Sequence, residues 1–324
     1  MKVMVTGATA PLGAALVAAL CEMRDVELVL AVGRDGEAPV PTHKRVVYRS
    51  TDLSRPRALH DLVWGTAREL GIDAVVHGIQ HRRTNDRGAK IHAQNVDATR
   101  ELILACTGHP TIRRFVYRSF AEVYALRHTT SDVIDEESPL DFDPAASQWI
   151  RDRVEADLTV CAHLATEPAI AVLRFAEILA PGTGSQLWDY LQSRVCLRPL
   201  GFDPMLNVLS LDDAVAAIIL ALRSTAVGVF NIPGRDTLPL SRAIVESRRA
   251  DLPLPGPLMR PLYELRRWFA GFDFRYDMNM QRFHFGGVLD GSRARTSLGY
   301  TPKTAVHWPM PRWLLLMERL ASAR

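Results

Sequence analysis

Six short runs that are apolar at nearly every position, Val3–Thr6, Glu27–Val32, Arg45–Tyr48, Ala74–His77, Phe115–Tyr117 and Ile170–Arg174, alternate with helical stretches at Leu12–Cys21, Pro56–Leu70, Val96–Cys106 and Gln148–Leu164. A strand with one face in water reads apolar, polar, apolar. A strand that is apolar throughout must be covered on both faces. Helices between the strands supply that cover, and right-handed crossovers then wind the chain both ways from the first strand. The pattern predicts an α/β fold built on a doubly wound parallel sheet. Composition permits it: of 324 residues, 48% are apolar and 23% charged, enough to fill a core on each face.

The same figures exclude several functional classes. With 39 Lys and Arg against 36 Asp and Glu, the formal charge is +3, too small to make nucleic acid the partner. No uninterrupted apolar run approaches the ~18–20 residues of a membrane span. The opening residues alternate like a strand and show no cleavage-site pattern, so the expected location is the cytoplasm. Cys21, Cys106, Cys161 and Cys196 lie singly among apolar neighbours without C-x-x-C spacing. They read as buried small hydrophobes rather than disulfides or metal ligands. His77, His81 and His92 have no metal-ligand spacing with nearby carboxylates, and no metal is expected.

After Arg174 the rhythm changes. Asn207–Leu209, Leu211–Leu222 and Val229–Ile232 read as strand, helix and strand, whereas Pro253–Gly287 is rich in Pro, Arg and aromatics. The expected division is a Rossmann-type domain over 1–174 with a return at 206–232, interleaved with a smaller α/β substrate lobe over 175–324. Pro257–Phe274, with Arg260, Arg266 and Arg267, reads as a packed lobe helix, and docking to a lipid surface or a partner is the less favoured alternative. Arg82, Arg83, Arg87 and Lys90 form a basic loop, read as a solvated face or as contacts for an anion at a cleft mouth.

The segment from Val3 to Gly13 is a strand, a tight turn and a helix start. Gly7 can adopt the turn's backbone angles, Gly13 lets the helix pack close to the strand, and the helix N-terminus aims N–H groups at a pyrophosphate. Thr9, Ala10, Pro11 and Leu12 complete this turn. Ala10 stands where a second glycine would let backbone approach phosphate, and with Pro11 it narrows the gap. At the end of the second strand Gly33-Arg34 replaces the acid that would bind a ribose 2′-hydroxyl. Arg34 suits a 2′-phosphate, so NADP is favoured over NAD, with a plain solvated Arg34 as the alternative. Asp52 and Leu53 follow the third strand, where an adenine ring would lie.

These features, with Asn95-Val96-Asp97-Ala98-Thr99, Phe115–Tyr124, Leu173-Arg174, Val208–Asp213, Phe230-Asn231-Ile232 and Asp290–Pro302, resemble an extended short-chain dehydrogenase/reductase of the NAD-dependent epimerase/dehydratase type, the group holding UDP-sugar epimerases. The resemblance spans nearly the whole chain. It implies a catalytic Ser/Thr, a Tyr that moves a substrate hydroxyl proton, and a Lys four residues on that lowers the Tyr pKa and holds the nicotinamide ribose. The family's S-S-x-x-V-Y-G pattern aligns with Ser119–Ala125 and places the catalytic hydroxyl at Phe120. Its Y-x-x-x-K pattern aligns with Trp149 and Arg153. Phe offers no hydrogen bond, Trp only an N–H, and Arg is a fixed cation that can still bind ribose hydroxyls. Loss of one acid–base group typically costs about 10²–10⁴ in rate.

Two residues are weighed as substitutes. Tyr124 aligns with a tyrosine that packs beneath the turn, and Glu177 stands where the family has a substrate-contacting Asn; a carboxylate there would repel a diphosphate. Ser119 is one position off and points elsewhere. The resemblance also puts Gly78, Gln80 and Asn95 beside the cofactor, with Gln80 intruding on its path. The expectation is a pseudoenzyme that binds a nucleotide, another ligand or a partner protein without the family's redox chemistry. Its rivals are an NADP-dependent oxidoreductase or epimerase with a non-standard base, and a scaffold that has lost the cofactor. A homodimer is expected through Val96–Cys106 and Gln148–Leu164, with Ile150, Val154, Leu158 and Cys161 as an apolar seam; burial of that stripe in the subunit's own core is the alternative.

Overall fold

In the computed structural model, which describes residues 1–34, 40–127, 132–270 and 274–311, all six apolar runs are strands of one sheet, and a seventh joins them. They are β1 (Lys2–Thr6), β2 (Leu28–Gly33), β3 (Val46–Ser50), β4 (Ala74–His77), β5 (Arg114–Phe120), β6 (Ala169–Phe175) and β7 (Gly228–Ile232). Their spatial order is β3-β2-β1-β4-β5-β6-β7, every pairing parallel, so the fold is the Rossmann-like α/β sheet expected. Alternate residues feed two cores. Val3 and Val5 face one side with α1 (Pro11–Glu22) and α5 (Leu211–Arg223). Met4 faces the other, with α2 (56–70), α3 (89–106) and α4 (Gln148–Cys161).

Met205–Leu209, placed by sequence in the return, instead joins a second sheet between Glu177–Ile178 and Asp236–Pro239. The return to the main sheet is made by α5 and β7 alone. The lobe core is aromatic: Tyr190 packs 5.2 Å from Phe274 and 5.0 Å from Phe283, and Tyr263 stacks 5.5 Å from Tyr276. Thus the Pro- and aromatic-rich stretch builds the lobe. Its helix, Gly256–Ala270, buries Met259 and Tyr263 and exposes Leu258, Leu262 and Leu265. The side chain of Arg267 lies outside the described residues.

The expected dimer stripe is divided by the fold. Val154 is buried in the subunit's own core, Ile150 packs against that core, and Cys161 packs against the core on the other face. A helix lying on a sheet turns one face inward, and this stripe straddles that face. Leu158 of α4 and Leu104 of α3 remain exposed. Cys21, Cys106 and Cys196 are buried and all four cysteines are free thiols.

Candidate functional site

The strand order reverses between β1 and β4, so the chains leaving β1, β2, β3 and β4 part at their C-terminal ends. They line a cleft of about 300 Å3. Gly7, Thr9, Ala10, Gly33, Arg34, Asp52, Leu53, Gly78 and Gln80 all border it. Gly7 has φ +72°, and a β-carbon there would meet the Gly78 carbonyl at 3.2 Å. At Gly13 a β-carbon would lie 2.1 Å from the Gly7 oxygen, so the helix can approach the turn only with glycine. Ala10 donates its N–H to the Gly7 carbonyl at 3.0 Å, and no side-chain hydrogen bond caps α1. That is the arrangement of a turn that presents a helix N-terminus to an anion.

Gly33 is dictated by a neighbour. A β-carbon there would stand 2.4 Å from the Thr9 methyl, and Thr9 is buried, so an acid at this position has no room. Asp52 accepts from the Ser54 hydroxyl at 2.7 Å and from the Ser54 N–H at 3.2 Å. Burial raises the Asp52 pKa, but the Ser54 hydrogen bonds, with the charges of Arg34 and Arg55, outweigh it and hold the carboxyl below its ordinary value.

Other expected residues lie outside the cleft wall. Leu12 points into the core, Pro11 faces Gly182, and Gly13 sits beneath the turn. Asn95, in a widened turn of α3, accepts from the His81 N–H at 2.8 Å and donates to Asp152 at 3.1 Å. It therefore holds the loop after β4 rather than reaching the cleft itself. Gln80 does enter, and donates to the Tyr117 hydroxyl at 3.2 Å. Arg82 and Arg83, members of the basic loop, line the cleft, and Arg82 donates to the Gly182 carbonyl at 3.0 Å. Their position directly after β4, at the reversal of the sheet, was the signal for this.

His77 ends β4, directly before Gly78 of the cleft wall, and is fully buried. Its Nδ1 lies 2.8 Å from the Thr6 hydroxyl and its Nε2 lies 3.0 Å from the Thr99 hydroxyl. Thr99 donates to the Asn95 carbonyl at 2.7 Å, so it accepts from Nε2–H; Thr6 accepts from the Gly78 N–H at 3.2 Å and donates to Nδ1. This chain is satisfied by a neutral ring, and burial pushes the His77 pKa down to about 3.

At the end of β5 the second group converges. The Arg153 guanidinium lies 3.7 Å from the Phe120 ring centroid and 3.9 Å from that of Trp149. The Arg118 guanidinium lies 4.3 Å from the same Phe120 ring. Desolvated contacts of this kind are each worth about 2 kcal/mol. Arg153 is 3.0 Å from Glu122. Burial alone would raise the Glu122 pKa, but Arg153 and Arg282 hold it low. The space left among Arg118, Phe120, Glu122, Arg153 and Glu177 is about 10 Å3, the size of about one water.

Neither candidate substitute base is open. Glu177 accepts from the Ser185 hydroxyl at 2.6 Å and the Leu187 N–H at 2.7 Å, and its other oxygen is paired with Arg282. Tyr124 is buried, donates to Asn231 at 2.7 Å and accepts from Arg174 at 3.0 Å. Burial pushes its pKa up to about 12, away from a base at neutral pH. Ser119 donates to Asp157, which also pairs with Arg174. A larger space of about 790 Å3 opens between Trp149 on α4 and Arg275 and Tyr276 of the lobe. Among the described residues no cluster of three His, Cys, Asp or Glu could hold a metal, and no helix is long and apolar enough to cross a membrane.

The adenosine side of a dinucleotide fits this cleft: the Gly7 turn admits backbone to phosphate, and the chain after β3 borders the end where adenine would lie. The space beside Phe120 and Arg153 is far smaller, about 10 Å3.

Residues 3–232 match the model of the NAD dependent epimerase/dehydratase family. An uncharacterized protein of Mycobacterium tuberculosis is 30% identical over 308 residues, covering 93% of this chain and 80% of that protein. A Streptomyces protein named 3-diazoavenalumate denitrifying reductase is 27% identical over 314 residues, covering 93% of this chain and 96% of its own. Among solved structures, the Bordetella bronchiseptica enzyme WbmG, in complex with NAD and UDP, superposes with a TM-score of 0.70 at 16% identity, covering 94% of this chain and 90% of that one. UDP-glucuronic acid 4-epimerase from Bacillus cereus, in complex with NAD, gives 0.67 at 17%, covering 94% of each. The chain belongs to the NAD-dependent epimerase/dehydratase family.

Proposed function

We propose that this protein is a nucleotide-binding member of the family that does not carry out its hydroxyl proton transfer. One observation carries the reading: Trp149 and Arg153, which the resemblance aligns with the tyrosine base and its lysine, pack together with Phe120, the Arg153 guanidinium lying against both rings. Arg153 still offers donors to a ribose, but nothing in the trio can accept a hydroxyl proton near neutral pH. The nucleotide held is NADP in preference to NAD, supported by Arg34 beside a Gly33 that Thr9 forbids from being an acid. A homodimer belongs to the same reading, with Leu104 and Leu158 as the exposed apolar residues that a second copy would cover.

The test combines binding and turnover. Calorimetry should show the nucleotide bound, while incubation with NAD(H) or NADP(H) and a panel of nucleotide sugars should show no hydride exchange. Turnover at about 1–10³ s⁻¹ would overturn the reading. The triple variant Trp149→Tyr, Arg153→Lys, Phe120→Ser should remain inactive, because Arg118 and Gln80 also occupy the site.

A second reading is favoured by the Streptomyces relative, whose name is that of a reductase. Hydride transfer to an acceptor with no hydroxyl proton to remove needs neither tyrosine nor serine. Oxidation of NADPH in the presence of a diazo compound, and not with nucleotide sugars, would select it.

A further inference from the structure

A dinucleotide bound to a doubly wound sheet lies across the reversal of its strand order, over strand ends on both sides. In this chain the cleft stops on one side. The described residues that line it all come from the Gly7 turn, the ends of β2 and β3, the chain after β4, and α3. Among them none belongs to β5, β6, α4 or the lobe. The far wall is where three loops meet. Arg82 donates to the Gly182 carbonyl at 3.0 Å, and a β-carbon on Gly184 would stand 3.2 Å from the Arg82 carbonyl oxygen. On the turn side, a β-carbon on Gly182 would lie 3.3 Å from Pro11, the first residue of α1. The loop that makes this wall is pinned from within. The Thr183 hydroxyl lies 2.7 Å from the Ala180 carbonyl and 3.0 Å from that of Ile178, and the Ser185 hydroxyl donates to Glu177 at 2.6 Å. Beside it, Gln80 reaches across to the Tyr117 hydroxyl on β5 at 3.2 Å. Beyond the wall, among Phe120, Glu122, Arg153 and Gly184, the space is about 10 Å3, that of about one water.

We propose that the ligand of this cleft is a nucleoside diphosphate that ends at its second phosphate. A dinucleotide in the same cleft would be gripped by its adenosine diphosphate half alone. The Gly7 turn and the N-terminus of α1 serve the diphosphate, and Arg82 and Arg83, in the wall beyond, add positive charge where the terminal phosphate carries its extra negative charge. Past the wall, Arg153, which the resemblance assigns to the nicotinamide ribose, lies against Phe120 and Trp149 and beside Glu122. The preference for a 2′-phosphate is unaffected, because Arg34 borders the opposite, adenosine end of the cleft. The inference rests on the functional reading above for the nucleotide itself. It is incompatible with the reductase alternative, in which a nicotinamide ring must be seated.

Two pairs of ligands are titrated into the full chain by calorimetry: ADP against NAD, and ADP carrying a 2′-phosphate against NADP. Each diphosphate should bind within about threefold of its dinucleotide, or more tightly, because the nicotinamide half adds nothing. Saturation-transfer NMR on the NADP complex should mark the adenine protons and leave the nicotinamide protons unmarked. Arg153→Met should change ADP and NAD affinity by the same factor; if Arg153 held the nicotinamide ribose, NAD alone would weaken. The inference is overturned by a dinucleotide more than about tenfold tighter than its diphosphate, by nicotinamide protons marked as strongly as adenine protons, or by selective loss of NAD in Arg153→Met. Should Arg153→Met fail to fold, the wild-type titrations and spectra decide alone. Tight NADP with a marked nicotinamide and no turnover sinks this inference only, whereas absence of binding by every one of these nucleotides sinks the functional reading beneath it.

Discussion

On one side of the cleft the walls are backbone: the Gly7 turn, the end of β2 at Gly33 and the start of the chain after β4 at Gly78. On the other side they are side chains: Arg118, Phe120, Glu122 and Arg153. The first side keeps about 300 Å3 open and the second about 10 Å3. The difference lies in what each needs from the sequence. A backbone site depends on glycine at a few positions; at Gly13 a β-carbon would lie 2.1 Å from the Gly7 oxygen and at Gly33 2.4 Å from the Thr9 methyl, and both glycines are in place. A side-chain site depends on every group that meets there, and here Arg118, Phe120, Glu122 and Arg153 meet as a packed cationic cluster.

The largest test of the contrast is Phe120→Ala. The ring is 5% exposed and lies against both Arg118 and Arg153. Removing a buried Phe costs about 3–5 kcal/mol, and here it also strips the contact from two buried cations. Chemical denaturation should show a loss in that range, with nucleotide affinity changed by less than about threefold, a factor worth well under 1 kcal/mol. A loss below 1 kcal/mol, or the appearance of turnover, would mean that the closed side is not a packed unit.

Acid offers a second test, because His77 is fully buried at the end of β4, directly before Gly78 of the cleft wall. Its folded pKa, about 3, is below the unfolded value near 6.5. Above pH 6.5 both states are neutral and the full stability is present. As pH falls from 6.5 toward 3 the unfolded state takes up the proton alone, and stability declines. By pH 5 this amounts to about 2 kcal/mol. Urea midpoints at pH 7 and pH 5 should differ accordingly, and the difference should shrink in His77→Gln. An unchanged midpoint in the wild type would show that the ring can be charged in place.

Much of this was legible in the sequence, and the parts that were not have physical reasons. The central main-sheet strands announced themselves because burial on both faces leaves no polar alternation, whereas β3, at the sheet edge, exposes Tyr48, Arg49 and Ser50. Val195–Pro199 and Ala250–Leu254 did not, because Arg198, Asp251 and Pro253 interrupt them; in the fold, Arg198 and Asp251 pair across these strands at 2.8 Å. The helix Gly256–Ala270 reads as a packed lobe helix over Pro257–Phe274, and it continues through Pro261. The turn glycines could be read because only glycine satisfies the backbone there. The meeting of Phe120, Trp149 and Arg153 came only through resemblance, since nothing local links residues about thirty apart. Arg118 carried a readable signal, a charge inside a strand buried on both faces, but its packing on the Phe120 ring is a tertiary fact.

The smallest expected effect tests the open side. Arg34 follows Gly33 at the end of β2 and acts electrostatically on Asp52 across the cleft mouth. A ribose 2′-phosphate placed at this end of the cleft would meet the guanidinium fork, whereas a 2′-hydroxyl would find no carboxylate at position 33, since the Thr9 methyl excludes any side chain there. Calorimetric titration should therefore give tighter NADP than NAD. Arg34→Ala should erase about tenfold of that preference, or roughly 1.4 kcal/mol, by weakening NADP alone. The urea midpoint should stay put, because a surface charge exchange away from caps and cores is usually within about 0.5 kcal/mol. Gly33→Asp is the companion variant: where an acid would normally recruit NAD, here its β-carbon must push Thr9 aside, so both nucleotides should weaken together. Equal affinities in the wild type, or tighter NAD in Gly33→Asp, would break the claim that Arg34, beside a position the Thr9 methyl keeps as glycine, fixes which nucleotide this side accepts.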